Sequence, residues 1–212
     1  MDSTASNLKF TNNWHKRAEP VWSKLLPKLK PQRILEIGSY EGASICMLIR
    51  LLDKLQPDIE IHAVDTWEGG IEHQAEGFVA TDMSKVESRF IKNMEIIKRE
   101  SRCRINLKVH KTKSVRALAK MISDGKTNYF DFIYIDGSHQ AADVITDAVL
   151  AFDLLRENGI IAFDDYLWRE PAIESPLRSP KIAIDSFTTI FSNKLQIVSA
   201  PLYQLYIQKL SR

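Results

Sequence analysis

Three aspartates follow two strand-like runs of the sequence and form its most informative pattern. Asp136 ends the run FDFIYID, and Asp164 ends the run GIIAFD, with Asp165 directly after it. Neighbouring parallel strands would bring these carboxylates to one edge of a sheet, where they would repel one another unless a cation lay among them. Oxygen ligands in this number, without cysteine, favour magnesium, manganese or calcium over zinc.

His139 lies three residues after Asp136, at the predicted start of a helix. An imidazole with a pKa near neutrality could remove a proton from a metal-bound hydroxyl at this edge. The alternative interpretation is structural, because His139 could instead cap the helix or support Asp136 through a hydrogen bond. We treat His139 as a candidate general base.

A turn with two glycines follows the first strand-like run, in the stretch EIGSYEGAS from Glu36 to Ser44. Gly38 and Gly42 permit a sharp turn at the carboxyl end of a strand, where open α/β sheets bind ligands. Their G-x-x-x-G spacing differs from the G-x-G-x-x-G that cradles a pyrophosphate, and it favours a ligand without phosphates. Asp65, which ends the second strand, could accept hydrogen bonds from both ribose hydroxyls. Together they indicate an adenosyl group, with a tight turn that binds nothing as the alternative.

Strand-like and helix-like segments alternate along the chain that must position these residues. Short β-branched and aromatic runs predict strands, whereas apolar residues at spacings of three and four predict helices. The predicted order is RILEI, a helix from Ala43 to Leu55, IEIHAV, a helix from Asp82 to Glu100, INLKVH, a helix from Ser114 to Ile122, FDFIYID, a helix from Gln140 to Leu155, and GIIAFD.

The end of the chain departs from this alternation. A predicted helix over about 181–191 precedes LQIVSAPLYQLYIQK, which reads as two strands joined around Ala200 and Pro201 without room for a crossover helix. These two strands must pair antiparallel. We therefore expect an α/β fold, a Rossmann-like doubly wound sheet of five parallel βα units with helices on both faces, closed by a C-terminal antiparallel hairpin.

The first 31 residues are expected to form an accessory helical segment, followed by one domain over 32–212. Asn12 or Asn13 could cap the leader helix, Pro20 would bend or divide it, and Pro27 and Pro31 would close it.

The composition argues against several classes of protein. The 212 residues include 29 basic and 27 acidic side chains, which gives a net charge of +2 and no basic stripe suited to nucleic acid. No apolar run predicts a membrane span, and the amino terminus does not resemble an export signal. We expect Cys46 and Cys103 to be reduced thiols that pack in the core. We expect a cytoplasmic protein with a small-molecule partner and without nucleic-acid or membrane partners, and the sequence is compatible with a homo-oligomer.

The motifs RILEIGSYEGAS, HAVDTWEGG and FDFIYIDGSH together resemble those of class I S-adenosylmethionine-dependent methyltransferases, over about residues 33–166. The closing hairpin is also similar to the ending of that class. Within it, the chain resembles the metal-dependent macrocin- and mycinamicin-type small-molecule O-methyltransferases and is similar to methyltransferase family 24. The resemblance implies S-adenosylmethionine as the cofactor and methyl transfer to oxygen as the reaction.

The resemblance also implies which residues bind the cofactor. Glu36 would contact the amino group of its methionine portion, directly or through water, and Asp65 would hold the ribose. For Trp67, packing in the core is the alternative to a place beside the adenine. The implied set is Glu36, Gly38, Ser39, Tyr40, Gly42, Ser44, Asp65, Thr66, Trp67, Lys113, Ser114 and Asp136, with Thr66, Trp67, Lys113 and Ser114 near the adenine.

The spacing of Asp136 and Asp164 is similar to that of the metal ligands in catechol-type and macrocin-type O-methyltransferases. The resemblance implies that Asp136, Asp164 and Asp165 hold Mg²⁺ or another divalent cation, which binds adjacent hydroxyls of the acceptor. The string DGSH resembles the mycinamicin-type enzymes, in which the histidine is the base, and this supports the assignment of His139. Ala141 stands where that family usually has tyrosine, so the acceptor pocket is expected to differ.

We therefore expect a divalent-metal-dependent O-methyltransferase that acts on a small hydroxylated acceptor, such as a sugar or natural product. The alternatives are a non-catalytic or regulatory protein that binds S-adenosylmethionine, and an NAD-dependent oxidoreductase, which the glycine spacing and the hairpin disfavour. The loops over 66–81 and 166–180 are candidates for a lid and for the acceptor pocket, respectively.

Overall fold

Residues 7–73, 80–170 and 175–211 are described by the computed structural model. They pack into two units. The helical unit contains the described residues up to Lys30, together with Ser39–Asp58 and Trp67–Ile105. The sheet unit contains Pro31–Gly38, Ile59–Thr66 and the described residues from Asn106 onward.

The helical unit contains a 3-10 turn over Trp14–Arg17 and three helices, α1 (Glu19–Leu29), α2 (Ala43–Leu52) and α3 (Met83–Glu100). The predicted division of the leader near Pro20 is confirmed, because the 3-10 turn ends before α1 and Pro20 lies in the first turn of α1. Of the two prolines predicted to close the leader, Pro31 follows the end of the helix, whereas Pro27 lies inside it. The helix continues to Leu29, since a proline so near the end removes only one hydrogen bond, and Lys30 then takes a left-handed conformation before Pro31.

A buried carboxylate ties the N-terminal segment to the rest of the helical unit. Glu41 is 1% exposed, and its oxygens accept hydrogen bonds from the backbone N–H and hydroxyl of Thr11 at 2.7 and 2.9 Å. The guanidinium of Arg89 on α3 donates to the same carboxylate. Asn93 completes the connection, because its amide donates to the carbonyls of Lys9 and Glu41, each at 2.9 Å.

Seven strands form one sheet in the order β3-β2-β1-β4-β5-β7-β6. Strand β1 pairs in parallel with β2 and β4, β4 pairs in parallel with β5, and β7 pairs antiparallel with both β5 and β6. The predicted fold, with a C-terminal antiparallel hairpin closing a mostly parallel sheet, is therefore confirmed. The strands are β1 (Arg33–Ile37), β2 (Asp58–Asp65), β3 (Arg104–Lys111), β4 (Phe130–Ile135), β5 (Leu155–Phe163), β6 (Leu195–Val198) and β7 (Leu205–Lys209).

Within the sheet unit, α4 (Ser114–Ser123), α5 (Ala141–Leu154) and α6 (Pro180–Ile190) bury their apolar sides against one face of the sheet. That face presents alternate strand residues, such as Leu35 and Ile37 of β1, as the period of two requires. The other residues of the same strands, including Glu36 and Tyr134, point to the opposite face. Among the ranges given above, no helix combines the length and apolar character that a membrane span needs.

Candidate active site

The three predicted carboxylates meet at the carboxyl ends of β4 and β5. The backbone N–H of Asp136 donates to the Ile37 carbonyl at 2.8 Å, and that of Asp164 donates to the Ile135 carbonyl at 2.9 Å, which extends the strand ladder into the site. One oxygen from each of Asp136, Asp164 and Asp165 lies within 4.8 Å of the others. The edge where β1 and β4 adjoin is also where the strand order reverses, which is the usual ligand crevice of an open α/β sheet.

The electrostatics of this cluster oppose ionisation. Burial raises the pKa of Asp136 well above its usual range, and the charges of Asp164, Asp165 and Glu36 raise it further. Burial and the neighbouring Asp165 raise the pKa of Asp164 to about 6, although the Gln204 amide acts in the opposite direction. Burial also raises the pKa of the Tyr134 hydroxyl, and the negative charges of the neighbouring carboxylates raise it further. A cation among the carboxylates would relieve this repulsion.

His139 lies against this cluster, but its partner differs from the one considered from the sequence. Its Nε2 lies 3.0 Å from an oxygen of Asp165. Its ring stacks on Trp168, with centroids 3.9 Å apart and planes 14° from parallel. The capping alternative named from sequence is wrong, because Gln140 is the residue at the helix cap, and the hydrogen bond that the structure shows for His139 is the one to Asp165. The role of His139 as a base stays a prediction.

Sequence reasoning missed three contacts to the cluster. The Tyr203 hydroxyl donates to Asp165 at 2.9 Å, the Gln204 amide donates to Asp164, and Trp168 stacks on His139. The pairing of β5 with β7 could have revealed the first two contacts, since Phe163 lies opposite Leu205. Continued past Phe163, the same register brings Asp164 to Gln204 and Asp165 to Tyr203.

Gly38 lies where β1 and β4 diverge, and the close approach of two backbones requires glycine there. Its φ is +85°, and a Cβ would lie 2.0 Å from the Asp136 carbonyl oxygen and 2.7 Å from the Gly137 Cα. Its N–H donates to the Val64 carbonyl at 2.9 Å. No other residue type fits between these strands without moving the Asp136 backbone.

The other cofactor residues predicted in the sheet unit lie along the same sheet edge. Glu36 is 3% exposed and lies beside Tyr134 in the register of β1 and β4. Asp65 is partly buried at the end of β2. Thr66 follows directly. Lys113 and Ser114 form the start of α4, where Ser114 hydrogen-bonds the buried Asp147. Their contacts with a cofactor stay predictions.

The remaining predicted cofactor residues belong to the helical unit. Ser39 and Ser44 are buried, and Gly42, with φ +76°, donates its N–H to the Ser39 carbonyl at 2.7 Å. The Tyr40 ring lies near the rings of Trp14 and His73, at centroid distances of 5.8 and 5.7 Å. The backbone of Tyr40 is left-handed, with φ +47°.

Trp67 is 6% exposed and packs against Phe90, with ring centroids 4.9 Å apart. Its indole N–H donates to the Tyr40 carbonyl at 2.9 Å. These contacts match the packing interpretation of Trp67 within its own unit. Its predicted place beside an adenine stays a prediction.

The loops over 66–81 and 166–180 are described in part. Positions 74–79, which include Glu76 and Gly77, and positions 171–174, which include Pro171, lie outside the described residues. In the second loop, Ser179 donates to the Trp168 carbonyl at 2.9 Å, and Arg178 pairs with Glu170 at 2.7 Å. The Ser179 contact holds the backbone of Trp168, whose ring stacks on His139.

Comparison with known proteins identifies the family. Residues 35–166 match the family model described as a methyltransferase domain, so the chain belongs to that family. The match confirms the recognition of a methyltransferase from its motifs. A Dictyostelium discoideum protein named "Probable caffeoyl-CoA O-methyltransferase 3" is 38% identical over 65 residues, which are 31% of this chain and 24% of that protein. The matched segment therefore spans about a quarter of that relative.

Solved methyltransferase structures share the fold. An O-methyltransferase from Bacillus cereus in complex with SAH, 18% identical, superposes with a TM-score of 0.64 over 97% of this chain and 86% of that one. TomG from Streptomyces achromogenes, an O-methyltransferase involved in tomaymycin synthesis and crystallised with SAM, is 15% identical with a TM-score of 0.62, over 96% and 82% of the two chains. The class I methyltransferase fold predicted from the sequence is thus confirmed.

Proposed function

We propose that this methyltransferase uses S-adenosylmethionine to methylate a hydroxyl group of a small acceptor, with a divalent cation held by Asp136, Asp164 and Asp165. The observation that supports this most strongly is the meeting of three carboxylates and an imidazole at the switch point of a methyltransferase fold. The O-methyltransferase relatives, some crystallised with SAM or SAH, support the same cofactor and reaction.

The sheet unit carries side chains suited to an adenosyl cofactor. Bound S-adenosylmethionine supplies a methyl group on a positively charged sulfur. Glu36 offers a buried carboxylate for an ammonium group, and Asp65 offers two acceptor oxygens for ribose hydroxyls. Gly38 lets the backbone beside them approach closely. Lys113 and Ser114 would lie near the adenine, as would Thr66.

The donor set fits a divalent cation. Three carboxylates with oxygens within 4.8 Å of one another provide hard ligands, and a bound Mg²⁺ or Mn²⁺ would lower the pKa of a coordinated hydroxyl. Asp164 and Asp165 come from consecutive positions after β5, whereas Asp136 follows β4. The register of β4 and β5 brings Ile135 opposite Phe163, so the aspartates that follow the two strands begin side by side.

His139 would accept the proton that the acceptor hydroxyl loses. Asp165 contacts its Nε2 and Trp168 stacks on its ring, which keeps the imidazole beside the carboxylates. The acceptor would bind beside His139 and the carboxylates, near the described ends of the loop over 166–180.

Titration calorimetry with S-adenosylhomocysteine and with Mg²⁺ tests this proposal. We expect the wild-type protein to bind both, and Asp164→Asn to lose Mg²⁺ binding while its affinity for the nucleoside stays within a few fold. Asp153→Asn, at an exposed position of α5, is the matched control and should bind both as the wild type does. Transfer of a labelled methyl group to a panel of vicinal diols, with and without a chelator, then tests the reaction.

Each contrary result identifies the part that fails. Nucleoside binding without Mg²⁺ binding would refute the metal site and favour a metal-independent or regulatory protein. Tight NADH binding without nucleoside binding would refute the methyltransferase proposal itself. An Asp164→Asn variant with unchanged metal-supported turnover would refute the ligand role of Asp164.

A further inference from the structure

The segment that leads into β7 of the closing hairpin places two polar residues opposite the two consecutive aspartates that follow β5. Strands β5 and β7 pair antiparallel with Phe163 opposite Leu205. One further step along this register brings Asp164 opposite Gln204, and the next brings Asp165 opposite Tyr203. The contacts follow the same count, because Gln204 donates to Asp164 and Tyr203 donates to Asp165.

Gln204 is built into the sheet unit as a buried amide. It is 4% exposed, and its amide nitrogen donates to an oxygen of Asp164 and lies 3.5 Å from the Tyr134 hydroxyl. Its amide oxygen accepts a hydrogen bond from the hydroxyl of Tyr206, which is itself 1% exposed. Both ends of the amide are therefore bonded, which fixes its orientation and directs its N–H group at the carboxylate.

Tyr203 hydrogen-bonds the carboxylate of Asp165, on the oxygen that His139 does not contact. Its hydroxyl lies 2.9 Å from Oδ1 of Asp165, while Nε2 of His139 lies 3.0 Å from Oδ2. Asp165 also has a left-handed backbone conformation, with φ +54°, which turns its side chain away from the extended direction of β5. Contacts on both of its oxygens hold the carboxylate in that direction.

We infer that Tyr203 and Gln204 are positioning residues, which hold the carboxylates of Asp165 and Asp164 in the arrangement that binds a divalent cation. This inference rests on the proposed metal-dependent function. Hydrogen bonds to metal-ligating carboxylates orient the ligands, and loss of such a bond typically weakens metal binding by about 10- to 100-fold. The hairpin that closes the sheet thereby also completes the metal site.

Mn²⁺ binding, measured by the electron paramagnetic resonance signal of the free ion, tests the inference on the full chain. The variants are Tyr203→Phe, which removes one hydroxyl, and Gln204→Met, which keeps the length of the side chain but removes its amide. We expect each to raise the Kd for Mn²⁺ about tenfold. The affinity for S-adenosylhomocysteine should stay within twofold, since neither residue is among those expected to bind it.

Two matched controls separate positioning from general loss of structure. Tyr129→Phe removes a tyrosine hydroxyl that also donates to a carboxylate at 2.9 Å, that of Glu60. Gln208→Met changes another glutamine of β7, whose amide donates to the Asn158 carbonyl at 3.1 Å. Both controls should leave the Kd for Mn²⁺ within twofold of the wild type. Melting temperatures identify any variant that fails to fold. If Gln204→Met fails to fold, the result for Tyr203→Phe decides the question.

The outcomes are distinct. A wild-type Kd for Mn²⁺ in a folded Tyr203→Phe protein would overturn the role of Tyr203, and the same result in both variants would overturn the inference while leaving the metal site intact. Equal weakening in the control variants would also overturn it, because the effect would then be structural. A wild-type protein that binds no Mn²⁺ would overturn the proposed metal dependence and this inference together.

Discussion

The buried carboxyl of Asp147 should make the stability of the protein fall as pH rises. Asp147 lies on α5 with 2% exposure, and one of its oxygens has no hydrogen-bond partner among the described residues. Burial raises its pKa from 3.8 to about 7, although a hydrogen bond with Ser114 opposes the shift. Between about pH 4 and pH 7 the folded protein therefore keeps a proton that the unfolded chain has lost, which favours unfolding progressively. Each unit of pKa corresponds to 1.36 kcal/mol, so the full cost is about 4 kcal/mol.

Asp147→Asn tests this reasoning, since the amide has nearly the same size and does not ionise. The free energy of unfolding, from urea titrations followed by circular dichroism, should improve relative to the wild type by about 3 kcal/mol as the pH goes from 5 to 8. Asp153→Asn, at an exposed position of the same helix, should show a difference that does not vary with pH. A pH-independent difference for Asp147→Asn would refute the argument, because it would mean that Asp147 titrates alike in the folded and unfolded states.

Three further predictions concern other sites. Gly38→Ala should abolish nucleoside binding or unfold the protein, measured by calorimetry and thermal melting, because its Cβ would lie 2.0 Å from the Asp136 carbonyl oxygen. Arg89→Ala should destabilise the protein by about 3 kcal/mol in urea titrations, since it leaves the carboxylate of Glu41 buried without its cation. Burial lowers the pKa of His62 to about 4, so stability should fall as pH decreases from about 6.5 to 4, and His62→Gln should reduce this loss in the same titrations.

The edge that carries the carboxylates was predictable because parallel strands end on a shared side. The runs before Asp136 and Asp164 are short and apolar, as buried parallel strands are, and each ends in an acid. The register of β1, β4 and β5 then leaves little choice about where those acids lie. Gly38 was predictable for a related reason, since a glycine directly after a strand indicates close backbone approach.

The support around the carboxylates was not predictable from local patterns. Gln204 and Tyr203 meet Asp164 and Asp165 only because the turn between β6 and β7 ends where it does, and the strand pattern alone leaves that end uncertain. Trp168 depends on a loop whose path is set by tertiary contacts, including the hydroxyl of Ser179. Propensity also failed locally at Pro27, where the packing of α1 outweighs the loss of a single donor.

Asp165 belongs to the proposed metal site and also contacts the candidate base. Each of its oxygens has two lone pairs, so the contacts with His139 and Tyr203 leave acceptor capacity for a cation. When the carboxylate accepts from His139, the proton lies on Nε2 and the lone pair of the ring lies on Nδ1. Nδ1 is buried, so the proposed role of His139 as base would require its ring to exchange the contact of Nε2 with Asp165 for one with the acceptor. The Tyr203 hydroxyl contacts the opposite oxygen of Asp165, so such an exchange would leave its hydrogen bond to Asp165 in place.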